Sequence, residues 1–471
     1  MDRSAKPIFN FVNLSHPDEL KNEETQLRIR RLAMTEVGRA RKKPKTQRER
    51  NEIVLEFRKP ATSPSAIDRL GSGEVDPFSP YPIDLDETSR GLVAFIFRNN
   101  SAHSRQLRGA WWPVGLTDQT AFYNVLANAR LYMLKELTGA FVQQDDAVSL
   151  SQQNIAFRLI VEKMKDPKQH DSDELLGSIA SFMCHDYILG AFAGWQQHRN
   201  GMARIIQLKG GVDKITTEEL RITISWTDLV GSFSQDVPSI VPLPQKWASD
   251  SRSAPGSPRP FSSISLRWKQ QLPMEMDWIT VFDDISQIIS LDRGLTQKEL
   301  KGAATTGCWM EPTMVRLLAM RPLLRGNKRG NIIEEVCRLG SMLFLAPIWR
   351  WLGARPVWTY NISRNLLSIL HSHMIEWGEL KPLLAWAVYF AAIETRDYQE
   401  RSQFVFILAV LMNGLQIQEW DEFMQIVKSV LWVERVFASS YEGVRAEVLS
   451  ILQVTTRNVT PVTKVVEEDH A

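Results

Sequence analysis

"DSDELLGSIASFMCHDYILGAFAGWQQHRNGMARIIQLKGG", Asp171 to Gly211, carries two helices back to back. Asp171 and Glu174 have the spacing of a capping box, the motif in which two side chains satisfy free N–H groups at a helix start. Leu176, Ile179, Met183 and Tyr187 then recur three or four residues apart, the repeat of one helical face. Gly190 supplies the stop. Trp195, His198, Met202, Ile205 and Ile206 form a second stripe, and Gly210-Gly211 end it, because glycine takes the left-handed conformation that closes a helix without steric cost. Two helices joined by so short a turn predict an αα-hairpin.

The same pattern continues on both sides. Thr117-Asp118 can cap a helix through Phe122, Val125, Leu126, Ala129 and Met133. Further helices are expected over Asp277–Ile289, Ile332–Trp351, Leu366–Trp377 and Pro382–Ile393, the last with proline at its first position. No Asn-Gly or Asp-Gly pair sits between alternating runs, so hairpin strands are not expected. The reading is an all-α fold: an array of packed αα-hairpins with a basic N-terminal helix and disordered linkers. Four zones follow. Residues 1–58 form a basic helical segment, opened by Ser15 and Asp18 and stopped by Pro44. Residues 59–86 are a Pro/Ser/Gly linker. Residues 87–454 are the helical domain, interrupted by a low-complexity loop at 248–263. Residues 455–471 are a polar tail.

Charge is unevenly spread. The whole chain of 471 residues carries +2. Residues 1–60 hold fifteen Lys/Arg against nine Asp/Glu, a net of +6, which leaves −4 for the remainder. The densest stretch is "RARKKPKTQRER", in which Arg39, Arg41, Lys42, Lys43, Lys45, Arg48 and Arg50 lie within one short reach. Such a run can neutralise phosphates or serve as a nuclear-import signal. Reading bases needs a rigid element held in a groove, and none is visible beside it.

Several chemistries find no residues to carry them. Gly71-Ser72-Gly73 lacks the third glycine and following helix of a dinucleotide cradle. No H-E-x-x-H or G-x-S-x-G is present. His371 and His373 fall on different faces of a helix, so they cannot grip one metal together. Cys184 and His185 are adjacent and diverge by about 100°, so they do not form a nucleophile–base pair. Cys184, Cys308 and Cys337 are isolated and odd in number, which fits a reducing compartment and small core side chains. The N-terminal ten residues hold no apolar core of signal-peptide length. The longest apolar runs, Leu383–Ile393 and Phe404–Met412, fall short of a membrane span of about 20 residues. Catalytic, cofactor-binding and metal residues are therefore not assigned, and no membrane contact is expected. His198 reads as a buried histidine whose ring nitrogens bond backbone or a neighbouring helix.

Five quoted stretches together resemble one family. They are "PIFNFVNLSHPDELK" from Pro7, "GSGEVDPFSPYPI" from Gly71, "WWPVGLTDQTAFYNVLANA" from Trp111, "GWQQHRNGMARIIQLKGGVDKI" from Gly194, and the later "CRLGSMLFL" and "KPLLAWAVYFAAIE" taken together. The chain is similar to the fungal-specific transcription factor domain, the helical regulatory region that usually follows a zinc binuclear cluster. Trp195, His198, Gly201, Gly210 and Gly211 carry the most specific part of the likeness. The resemblance implies a nuclear protein that regulates transcription, often of a secondary-metabolism or other pathway cluster, with other transcription regulators or co-regulators as partners and DNA reached through the basic segment. The family's six-cysteine, two-zinc module has no counterpart among these residues, so DNA binding of that kind is not expected. The alternative is a helical scaffold with no nucleic-acid role.

Overall fold

Asp86 opens the first helix of the computed structural model: its carboxylate accepts from the Ser89 amide, and α1 runs Glu87–Ile96. The structure describes residues 81–97, 111–244, 310–352, 354–373, 375–438 and 442–457. All lie in one compact unit, Ala66–Ala471. The basic segment, the linker through residue 80, the loop at 248–263, the helix expected at Asp277–Ile289, Cys308 and the tail after residue 457 fall outside the described residues. The described residues form fifteen α-helices and no strands, an all-α fold.

The N-terminal helices continue with α2 (Trp112–Thr117), α3 (Gln119–Thr138), α4 (Ala147–Lys163), α5 (Asp173–Leu189), α6 (Phe192–Lys209) and α7 (Glu218–Gln235). Asp118 caps α3 as its sequence suggests, accepting from the amides of Thr120 and Ala121. It also takes Lys163 Nζ at the end of α4 and Ser178 Oγ of α5 at 2.8 Å, so one carboxylate ties three helices. The expected cap of α5 is displaced by one residue. Ser172, not Asp171, is the N-cap and accepts from the Leu175 amide, because its short hydroxyl sits at the residue whose backbone is still extended. Gly190 and Gly210 take left-handed φ angles of 74° and 92° and close α5 and α6.

The second half holds α8 (Glu311–Ala319), α9 (Arg329–Leu352), α10 (Tyr360–Ser372), α11 (Lys381–Glu394), α12 (Tyr398–Gly414), α13 (Trp420–Val430), α14 (Glu434–Phe437) and α15 (Glu442–Arg457). The helix expected over Leu366–Trp377 instead begins at Tyr360 and stops at Ser372. Residues Ile362, Ser363, Leu366, Leu367 and Ile369 form its buried face, so the inward stripe starts earlier than the leucine pair suggested. α9 and α11 are the centre. Gly340 lets them touch, since a Cβ there would stand 2.6 Å from Ala387 Cβ. Beside that contact Phe344, Trp386, Phe390 and Phe437 pack edge-on or tilted with centroids about 5 Å apart. The apolar runs Leu383–Ile393 and Phe404–Met412 lie in α11 and α12, and no described helix is long and apolar enough to cross a membrane.

Polar bonds sew the halves together. Tyr132 and Tyr187 hydroxyls each donate at 2.6 Å to the carbonyls of Arg355 and Pro356, and Trp358 Nε1 donates back to the Tyr187 carbonyl. Asp236, just past α7, accepts from Arg338 Nη1 and Nη2 at 2.7 and 2.9 Å, from Arg321 and from Asn365. Glu335 takes the other edge of the fully buried Arg338. These bonds hold the Asp236 carboxyl below its ordinary range although burial alone would raise it.

Candidate functional site

Trp195 begins the site. It is wholly buried on α6, and its Nε1 donates to the Thr227 carbonyl of α7 at 3.4 Å. The close approach depends on Gly231, where a Cβ would stand 2.0 Å from the indole. Arg199 lies over the same ring, 5.3 Å from its centroid, and donates through Nε to Asp228 at 2.7 Å. The other Asp228 oxygen accepts from the amides of Ile240 and Val241. This buried pair thus fixes the segment leaving α7. Met202 and Ile205 complete the inward stripe, Gly201 faces Ile179 of α5 at a distance where a Cβ would make an ordinary contact of 3.8 Å, and Gly211 follows Gly210 with φ 113°. Four of the five motif residues, Trp195, Gly201, Gly210 and Gly211, therefore serve packing and helix ends.

His198 departs from that pattern. Its ring is a quarter exposed and stacks on Phe182 at 5.3 Å, and Phe182 stacks in turn on Phe157 of α4 at 4.5 Å. Its Nε2 lies 3.4 Å from Asp186 Oδ2 at the end of α5, so the partner is a carboxylate in the same hairpin rather than backbone. Gly194 makes room: a Cβ there would meet Asp186 Oδ2 at 2.6 Å. Burial, with the charge of Asp145 behind it, pushes the Asp186 carboxyl up to about 7. Burial also pushes His198 below its ordinary value. At 3.4 Å the two groups are in proximity without a hydrogen bond, and Asp186 Oδ2 is buried with no hydrogen-bond partner.

His185 lies next to Asp186 and turns the other way. Nδ1 is 2.9 Å from Asn128 Oδ1 and Nε2 is 3.2 Å from Asp145 Oδ2. Burial is the largest influence on Asp145 and raises it, but the His185 bond and charge and the Ser149 hydroxyl outweigh it and leave it below its ordinary value. Asn128 also lines a cavity of about 10 Å³ with Trp111, Ser181, Cys184 and Thr223, close to the smallest space that admits one water molecule. Cys184 itself points to Thr227 Oγ1 at 3.1 Å, and burial lifts its thiol to about 12, far from a reactive thiolate. The adjacent Cys184 and His185 thus diverge as helical geometry requires.

Two carboxylates and two imidazoles do gather here, which the sequence reading did not anticipate: Asp145, His185, Asp186 and His198. No group of three or more His, Cys, Asp or Glu with metal-holding geometry occurs among the described residues. What the cluster provides is two histidine–carboxylate contacts, His198 with Asp186 across the α5–α6 hairpin and His185 with Asp145 before α4. The clue to Asp186 was its place beside His185 on a helix whose neighbours all point inward. The clue to Asp145 and Asp146 was their position before "AVSL", where Asp146 caps α4 and forms a box with Ser149. His371 and His373 sit at the end of α10, apart from this cluster. Arg39, Arg41, Lys42, Lys43, Lys45, Arg48 and Arg50 lie outside the described residues. No protein-family model matches this sequence, and no curated protein or solved structure shows significant similarity to it.

Proposed function

We propose that this protein is a nuclear regulator or co-regulator of transcription that acts by binding, through its helical body; these 471 residues hold three isolated cysteines and no six-cysteine zinc cluster. The observation that carries the reading is the α5–α6 hairpin. The residues behind the family resemblance occupy its buried seam and its helix ends, where they build a rigid scaffold instead of a catalytic centre. Buried thiols at Cys184 and Cys337, and the use of Asp118, Asp146 and Asp236 in caps and helix ties, support binding over catalysis. The basic run Arg39–Arg50 supports nuclear import and phosphate contact on charge alone. Partners are other transcription regulators, with DNA touched through that run.

Replacing Arg41, Lys42, Lys43 and Lys45 by Gln in a fluorescent fusion tests the reading. The wild type should concentrate in the nucleus and the variant should not, with transcript levels of a limited gene set changing alike in the variant and in a deletion. Equal distribution of both proteins with unchanged transcripts would refute it and leave the scaffold alternative.

A further inference from the structure

Helix α4 faces the wrong way for a helix that only supports a core. Its inward residues include Ser149, Gln152 and Gln153, and Gln152 Oε1 and Gln153 Nε2 are buried with no hydrogen-bond partner. Beside exposed Ser151, Asn154, Arg158 and Glu162, its outward side carries large apolar residues: Leu150 is 49% exposed, Phe157 45%, Val161 54% and the C-cap Met164 54%. With Asn154 they follow the alternating four-and-three spacing of a coiled-coil seam, Leu150, Phe157 and Met164 at one position and Asn154 and Val161 at the other. The helix does not need this stripe to stay in place. Asp146 caps its start and holds Arg130, Lys163 ties its end to Asp118, and Ala156 and Ile160 enter the core. At mid-stripe Phe157 is already fixed by stacking on Phe182, with planes 28° apart. A rigid aromatic at the centre of an apolar strip is the form of a binding hot spot.

We propose that the solvent face of α4 is the docking surface for an amphipathic helix of a partner protein, apolar along its seam and acidic along one flank. Charge selects the occupant. Ser151, Arg158 and Lys165 recur every seven residues along the exposed flank of the stripe. Arg158 makes no ion pair among the described residues; its Nε donates to the Asn154 carbonyl. Lys165 holds Glu162 only in a pair two-thirds exposed on both sides, which contributes little and re-pairs readily. A helix laid on the stripe therefore meets two cations and one carboxylate, Glu162, on that flank, a net positive charge that attracts carboxylates and repels ammonium groups. A second copy of this chain is disfavoured, because two-fold pairing about Phe157 sets Arg158 against its own equivalent. α4 is about 25 Å long, enough to seat about two heptads. The proposal names a partner surface on the body described above and so rests on its reading as a binding module. A peptide assay in solution and promoter occupancy in cells can fail separately, which tells the two readings apart.

The test uses the full chain and two synthetic helices three heptads long, with Leu along the seam and either Glu or Lys along both flanks. Fluorescence anisotropy at near-physiological salt should show the Glu peptide binding about tenfold or more tightly than the Lys peptide. Val161→Asp should abolish binding with an unchanged thermal melt, and Arg158→Glu with Lys165→Glu should reverse the preference. Absence of binding, equal binding of the two peptides, or binding untouched by Val161→Asp overturns the proposal. So does a concentration-dependent dimer that Val161→Asp dissolves, since that makes the occupant a second copy.

Discussion

Gly231 and Trp195 share one volume, and each explains the other. Replacing Gly231 by Ala forces a methyl into the indole, so the variant should lose more stability than a typical overpacked site, which costs about 1–3 kcal/mol. Trp195→Ala empties the same space and should cost roughly 3–5 kcal/mol in denaturant titrations, the range for a large buried aromatic. A loss under about 1 kcal/mol for the latter would mean that the indole is not in the core. Asp186 supplies a pH-dependent test. Its carboxyl ordinarily titrates at 3.8 and here at about 7, raised first by burial and then by Asp145. Between those values the folded protein keeps a proton that the unfolded chain has released. Its stabilising contribution is therefore complete below the ordinary value and is lost as pH rises through about 7. His198, lowered by burial, works in the opposite sense below its own ordinary 6.5. Asp186→Asn, neutral throughout, should be more stable relative to the wild type at about pH 8 than at about pH 5, by up to ~3 kcal/mol, since about two units of the shift fall in that interval at 1.36 kcal/mol per unit. Urea midpoints at both pH values check this, and a difference that does not change with pH contradicts it.

Helices were the most legible level of the sequence, and their inner and outer faces the least. The α5–α6 hairpin could be read because its two stripes end in glycines that only a helix stop explains. Asp118 was legible as a cap for the same local reason. The cap of α5 and the start of α10 were off because hydroxyl and aspartate neighbours compete for one N-cap, and because inward faces begin before the first obvious leucine. α4 was missed altogether. Its apolar spacing was present in the sequence, but periodicity does not say whether a stripe faces the core or the solvent. The carboxylates that tie elements together were invisible for a different reason: Asp236 and Arg338 are 102 residues apart and meet only in the fold. Removing one partner of that buried set leaves charge without compensation. Arg338→Met should therefore destabilise the protein by roughly 3–5 kcal/mol, whereas Arg364→Met, at a pair whose arginine is more than half exposed, should change it by less than about 1 kcal/mol. Equal losses in thermal or chemical melts would show that burial does not set the value of these pairs.

At the scale of the molecule, two apolar clusters meet along α5. The smaller gathers α1 to α3 with Cys184 and Ile188, and the larger takes the rest of α5 together with α6 to α15. This body is well built for holding a surface in place. The proposed role joins it to a basic segment that brings it to the nucleus and to phosphates. Chromatin immunoprecipitation of the chromosomally tagged protein tests that role most directly. Enrichment at a restricted set of promoters, lost when Arg41, Lys42, Lys43 and Lys45 are neutralised, is the expected result. A nuclear-excluded protein with no promoter enriched above an untagged control would contradict it.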